Sequence, residues 1–72
     1  MQYYERLRQV REDKDITQTQ AAEVIHSSQN QMYRYENGVN EMTVGKLRER
    51  CLLYGVSADY ILDLPKDLDW PR

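Results

Sequence analysis

Apolar residues recur every three or four positions along most of the chain, which is the spacing of an amphipathic helix. In the first dozen residues, Leu7 and Val10 follow a pair of tyrosines at this spacing, and charged residues fill the positions between them. The pattern predicts a first helix from Tyr3 to Lys14. No alternating run of polar and apolar residues indicates a strand.

Capping and terminating residues divide the rest of the chain into four further helices. A serine or threonine precedes each apolar run, as is typical of helix N-termini, and Thr17 with Gln20 has the spacing of a capping box. Gly38, Gly55 and Pro65 are typical terminators. The second helix is predicted to begin at residue 18 and to run for about two turns, and the third, fourth and fifth helices are predicted at 29–37, 44–54 and 58–64. Their predicted N-caps are Thr17, Ser28, Thr43 and Ser57.

The apolar faces of these helices predict the core. The expected core side chains of the second, fourth and fifth helices are Ala21, Ala22, Val24, Ile25, Val44, Leu47, Cys51, Tyr54, Tyr60, Ile61 and Leu62. Short connections between five helices favour one compact all-α domain over residues 1–64, followed by a C-terminal tail, 65–72.

Composition and charge narrow the class of protein. With 72 residues, of which 40% are hydrophobic, the chain has enough apolar side chains for one small core. Cys51 is the only cysteine, so an internal disulfide is excluded, and no Cys/His cluster has zinc-ligand spacing. The early charges and the lack of a long apolar run predict a soluble, cytoplasmic protein.

The net charge of −2 lies in the C-terminal part of the chain. Residues 1–56 have equal numbers of basic and acidic side chains, and 57–72 hold the acidic surplus. Nucleic-acid-binding domains are usually basic, so this balance argues against DNA binding unless the positive groups share one face.

One face of the third helix is almost wholly polar. At 100° per residue, Met32 and Tyr35 fall on one side, and the opposite side carries amides, a phenol and a guanidinium. These polar residues are Gln29, Asn30, Tyr33, Arg34 and Asn37. Arginine pairs with guanine edges and asparagine or glutamine with adenine edges, so this face is typical of base readout.

Residues 16–38, ITQTQAAEVIHSSQNQMYRYENG, resemble the helix-turn-helix domain of Cro and phage repressors, called the Xre family. The segments 6–12 and 47–62 resemble the first helix and the fourth and fifth helices of that family. The resemblance implies a five-helix, lambda-repressor-like fold. In such a fold the second helix spans the DNA backbone and the third enters the major groove.

The resemblance also implies roles for individual residues. Expected base contacts are Gln29, Asn30 and Arg34, and Tyr33 contacts either a phosphate or a thymine methyl group. The expected phosphate contacts are Gln18, Ser28 and Asn37, with Lys46, Arg8 and Arg6 as the remaining basic candidates. Arg11 and Glu36 are expected to form a half-buried structural ion pair between the first and third helices.

The chain also departs from the family pattern. His26 and Asp15 stand where glycine is usual, which predicts left-handed, locally strained residues. Residues 39–41 lack the usual basic side chains, so we expect few released counterions and a shallow salt dependence. Arg50 replaces an apolar residue of the fourth helix, and it either snorkels to solvent or faces a partner.

Two functions are open at this point. The third helix favours a sequence-specific transcription regulator, expected to act as a repressor, that binds double-stranded DNA as a homodimer at an operator with two half-sites. The apolar residues Tyr60, Leu64, Leu68 and Trp70 either pack back on the first helix or form the twofold contact. The acidic tail and the missing basic loop favour the alternative, a protein-interaction module such as an antitoxin-like partner.

The sequence gives little support for catalysis. Asp59 and Asp63 lie one turn apart on the fifth helix, but no cleft-forming sequence surrounds them. His26 is the only histidine, and no Ser/His/Asp set or glycine-rich phosphate loop is present. We therefore expect no enzyme activity, no cofactor, no metal, no membrane contact and no small-molecule ligand domain.

Overall fold

The computed structural model describes residues 1–68, which form five α-helices and contain no strand. The helices are α1 (Tyr3–Asp13), α2 (Gln18–Val24), α3 (Gln29–Glu36), α4 (Val44–Tyr54) and α5 (Ala58–Leu62). The predicted all-α, five-helix fold is confirmed. None of these helices has the length and apolar character needed to cross a membrane.

Side-chain caps start four of the helices, as predicted. At α2 the capping box is complete, because Gln20 N donates to Thr17 Oγ1 at 3.1 Å and Thr17 N donates to Gln20 Oε1 at 2.9 Å. The hydroxyls of Ser28, Thr43 and Ser57 accept from backbone N–H groups in the same way. These caps satisfy donors that a helix leaves free in its first turn.

Left-handed residues end several helices. Asp15 and His26 have φ values of 57° and 55°, so both predictions are confirmed. The fifth helix was predicted to reach Leu64, which is wrong: Asp63 has φ 57°, and Leu64 N donates back to Asp59 O. Pro65 disfavours a helical conformation at the residue before it, so the helix closes earlier in a Schellman turn.

The N-terminal tyrosines hold the segment that follows α3. Gly38 has φ 72°, and the Tyr4 ring lies so close that an added Cβ would be 2.5 Å from its Cζ. The Tyr3 hydroxyl accepts a hydrogen bond from Met42 N at 3.3 Å. The start of α1 therefore fixes the course of the chain between α3 and α4.

The core lies where α2 packs on α3 and α1 packs on α3, α4 and α5. Its buried apolar residues are Leu7, Ala21, Ala22, Ile25, Met32, Tyr35, Cys51, Tyr54 and Ile61.

Four predicted core residues are exposed instead: Val24, Val44, Tyr60 and Leu62. The very short helices α2 and α5 bury one side only, so the neighbours of Ile25 and Ile61 turn outward. Val44 is 82% exposed, because the first turn of α4 extends past the core.

Candidate nucleic-acid interface

The outer face of α3 presents polar side chains to solvent. Gln29, Asn30, Tyr33, Arg34 and Asn37 are all exposed, whereas Met32 and Tyr35 face the core. Helical spacing alone predicted this separation, and the structure agrees with it. The contacts of these side chains with DNA stay a prediction.

Two of the residues expected to contact phosphate also complete α3 itself. The Ser28 hydroxyl caps its N-terminus by accepting from Gln31 N at 3.1 Å. Asn37 Nδ2 donates to Tyr33 O at 2.8 Å, which fixes the amide against the last turn. Both side chains are held in place before any ligand arrives, so their ordering would cost little on binding.

Gln18, at the start of α2, is half-buried and turned partly inward. Its Nε2 donates to Glu36 Oε1 at 3.0 Å. An amide nitrogen has two hydrogens, so one donor is used internally and one remains for a phosphate.

Lys46 is also half-buried and reaches the turn between α2 and α3. Its Nζ donates to Ile25 O at 2.7 Å, at the C-terminal end of α2. The ammonium group thus ties α4 to the helix-turn-helix unit. Its predicted phosphate contact would use the two remaining N–H donors.

The Arg11–Glu36 ion pair predicted from the resemblance is present and buried. Arg11 Nε lies 2.7 Å from Glu36 Oε2 and Nη2 lies 2.9 Å from Oε1, a two-pronged contact. Arg11 Nη1 also donates to Ile16 O at 2.7 Å. The pair therefore joins α1, the segment before α2, and the end of α3.

Arg50 neither snorkels nor faces a partner, so both sequence alternatives are wrong. Its side chain is 0% exposed, and Nη2 lies 2.8 Å from Glu36 Oε2. Nε and Nη2 also donate to the Tyr54 hydroxyl at 3.1 and 2.9 Å. The sequence signal was the i, i+4 spacing of Arg50 and Tyr54 on the inward stripe of α4.

We call Arg11, Gln18, Glu36, Arg50 and Tyr54 the Glu36 cluster. Burial alone would raise the pKa of Glu36, but hydrogen bonds from Arg11 and Gln18 and the positive charge of Arg50 outweigh it, so the pKa lies below its ordinary value. Burial raises the pKa of Tyr54, against the opposing charge of Arg50, so its phenol is neutral at pH 7.

The lowered pKa of Glu36 predicts acid sensitivity. Its contribution to stability is full above the unfolded pKa of about 4.3 and is lost as the pH falls through the lower folded pKa. Urea unfolding from pH 7 to pH 2 should show the free energy of unfolding dropping below about pH 4. Glu36→Gln should flatten that drop, whereas Glu23→Gln, at an exposed position, should leave it as in wild type. Equal slopes for all three proteins would contradict the prediction.

Positive charge is scarce on the candidate interface. From His26 to Thr43, Arg34 is the only lysine or arginine, and Glu41 is an exposed acid. Arg6, a basic candidate, instead turns toward α5, where Nη1 donates to Tyr60 O at 2.7 Å and Nη2 lies 3.7 Å from Asp63. The face thus offers mainly neutral hydrogen-bonding groups.

Asp59 and Asp63 line an open depression of about 320 Å³, which the sequence pattern did not indicate. Asp63 is paired with Arg6, and Asp59 is exposed. In residues 1–68, no group of three or more His, Cys, Asp or Glu side chains is arranged to hold a metal ion.

Two short helices packed across a tight turn, with the second presenting a polar face, define a helix-turn-helix domain. Residues 4–64 match the protein family described as "Helix-turn-helix domain", and the chain belongs to that family. The match is consistent with the resemblance to Cro and phage repressors. No curated protein and no solved structure matched the chain. Domains with this motif bind DNA as a class, through the second of the two helices.

Proposed function

We propose that this protein is a sequence-specific regulator of transcription that reads the major groove of double-stranded DNA with α3. The observation that carries the proposal is the set of exposed amides and one guanidinium on α3, at the end of the helix nearest the turn and along the same face. Gln29 and Asn30 would contact adenine edges, and Arg34 would contact guanine. Tyr33, which is 54% exposed, would contact a thymine methyl group or a phosphate.

Backbone contacts would orient α3 in the groove. Gln18 retains one free amide hydrogen, and Ser28 and Asn37 flank the two ends of α3. Lys46 adds a positive charge beneath the turn. Such contacts fix the register of a protein on the duplex and carry no sequence information themselves.

A homodimer acting as a cytoplasmic repressor completes the proposal. One short helix reads few base pairs, and two half-sites one helical turn apart multiply the specificity. Tyr60 stacks on Arg6 of α1 at 5.1 Å yet stays largely exposed, and Leu64 and Leu68, further along the chain, are also exposed. These residues support a twofold contact. Trp70, assigned to the same surface, lies outside the described residues.

The alternative is a protein-interaction module with weak DNA binding, such as an antitoxin-like partner. The scarcity of positive charge supports this alternative. Residues 26–43 contain only one arginine and no lysine, and neutralisation of phosphates supplies much of the affinity for DNA. Neither candidate function involves catalysis, and helix-turn-helix domains are typically not enzymes.

Selection of bound sequences from a random double-stranded DNA pool tests the proposal directly. Enrichment of one motif supports it, and fluorescence anisotropy on that DNA then tests the readout by α3. Arg34→Ala should weaken binding by about 1–3 kcal/mol and relax selectivity at one base pair. Arg48→Ala removes the same charge from an exposed position of α4 and should have a small effect.

Failure of the selection to enrich any motif would favour the protein-interaction alternative. Equal binding by Arg34→Ala and wild type on an enriched motif would exclude base readout by Arg34.

A further inference from the structure

The Glu36 cluster holds two guanidinium groups and one carboxylate. Arg11 and Arg50 both contact Glu36, and no other acidic side chain in the described residues pairs with either of them. Because Tyr54 is neutral, the cluster has a net charge of +1. Glu36 is the counter-charge of both arginines, so one positive charge of the cluster is left uncompensated.

The surplus charge is fully inside the protein. The Arg50 side chain is 0% exposed, and its Nη1 has no hydrogen-bond partner within residues 1–68. Water and counterions screen a buried charge far less than an exposed one. The electric field of Arg50 therefore extends to the protein surface, whereas the field of an exposed arginine would be largely screened.

Gln18 is partly exposed and contacts the same carboxylate as Arg50. Glu36 receives Arg50 on Oε2 at 2.8 Å and Gln18 on Oε1 at 3.0 Å, so only one carboxylate separates the guanidinium from the amide. A phosphate bound to the free hydrogen of Gln18 would stand close to the negative Glu36. With Arg11 as its only arginine, the cluster would have no net charge. With Arg50 as well, its net charge is +1, which attracts an anion.

We propose that Arg50 is a buried positive charge that draws a DNA phosphate to Gln18. It would act as a positioning residue without touching the duplex, and it replaces part of the attraction that residues 39–43 do not supply. This inference rests on the proposed function, because it presupposes a DNA backbone at Gln18. It also explains why an arginine occupies a position on the inward stripe of α4.

The experiment uses the full chain and the DNA that wild type enriches from a random pool. Arg50→Met removes the charge and leaves Glu36 paired with Arg11, so no buried charge is left alone. We expect about three- to tenfold weaker binding near 0.1 M salt. Arg50→Lys keeps the charge with different geometry, and it should recover most of the affinity. Arg48→Met is the matched control for loss of one positive charge on the same helix, and its binding should stay within about twofold of wild type.

A neutral phosphate analogue separates attraction at Gln18 from a general loss of stability. A single methylphosphonate is placed in turn at each position of the selected DNA, and the loss of affinity at that position is its penalty. For wild type the largest penalty should fall at one phosphate, and at this phosphate Gln18→Ala should show no penalty. At this phosphate the penalty should be smaller for Arg50→Met than for wild type, and unchanged for Arg48→Met. Thermal unfolding by circular dichroism shows that each variant is folded at the temperature of the assay.

Three outcomes would count against the inference or against the proposed function. Equal affinity and equal methylphosphonate penalties for Arg50→Met and wild type would overturn the inference while the proposed function stands. Absence of any phosphate with a Gln18-dependent penalty would also overturn the inference, and this scan of wild type and Gln18→Ala does not require Arg50→Met to fold. Failure to enrich any DNA would remove the proposed function first.

Discussion

Glu36→Ala is expected to lower the free energy of unfolding by about 3–5 kcal/mol, which is most of the stability of a domain this small. The substitution leaves Arg11 and Arg50 buried without a counter-charge and deprives Gln18 of its acceptor. Urea unfolding followed by circular dichroism at pH 7 measures the loss.

Two further proteins define the cause of that loss. Glu23→Ala removes an exposed carboxylate from α2 and should change the free energy of unfolding by less than about 0.5 kcal/mol. The triple variant Arg11→Met, Glu36→Leu and Arg50→Met removes every charge of the cluster and should regain much of the stability, because apolar side chains of similar volume often replace buried ion pairs without cost. A loss below about 1 kcal/mol for Glu36→Ala would show that the cluster contributes little.

Met32→Ala is expected to cost about 2–5 kcal/mol, through lost apolar burial and the cavity left behind. Met32 is 0% exposed and lies on the inward face of α3, in the core shared with α2. Because its side chain does not reach the candidate interface, DNA affinity per folded molecule should stay near that of wild type. Chemical denaturation measures the first quantity, and anisotropy corrected for the folded fraction measures the second.

The adjacent residue provides the opposite case. Tyr33→Ala, on the exposed face, should change stability by less than about 0.5 kcal/mol and weaken DNA binding. If Met32→Ala and Tyr33→Ala lost stability equally, the division of α3 into two faces would be wrong.

Local chemistry made most of the fold predictable. Helix starts follow from side-chain oxygens at Thr17, Ser28, Thr43 and Ser57, each of which satisfies a backbone donor within its own helix. The left-handed turn at His26 was predictable because the resemblance marks that position as one where glycine is usual. Helix caps and turns depend on residues only a few positions away, so they can be predicted from a single sequence.

Long-range packing was less predictable. The exposure of Val44 and Leu62 depends on where neighbouring helices end, which periodicity does not report. The burial of Arg50 depends on Glu36, 14 residues earlier, as its counter-charge. Likewise, the inward hydrogen bonds of Gln18 and Lys46 require the packing of α2 on α3 and α4. The polar outer face of α3 was predictable because it depends only on helical spacing.

Attachment of three helices to a single carboxylate of a fourth affects how the protein unfolds. Glu36 of α3 binds side chains from α1, α2 and α4, so opening of this end of α3 would break contacts with three other helices. Amide hydrogens in these helices are then expected to exchange together, in one cooperative opening.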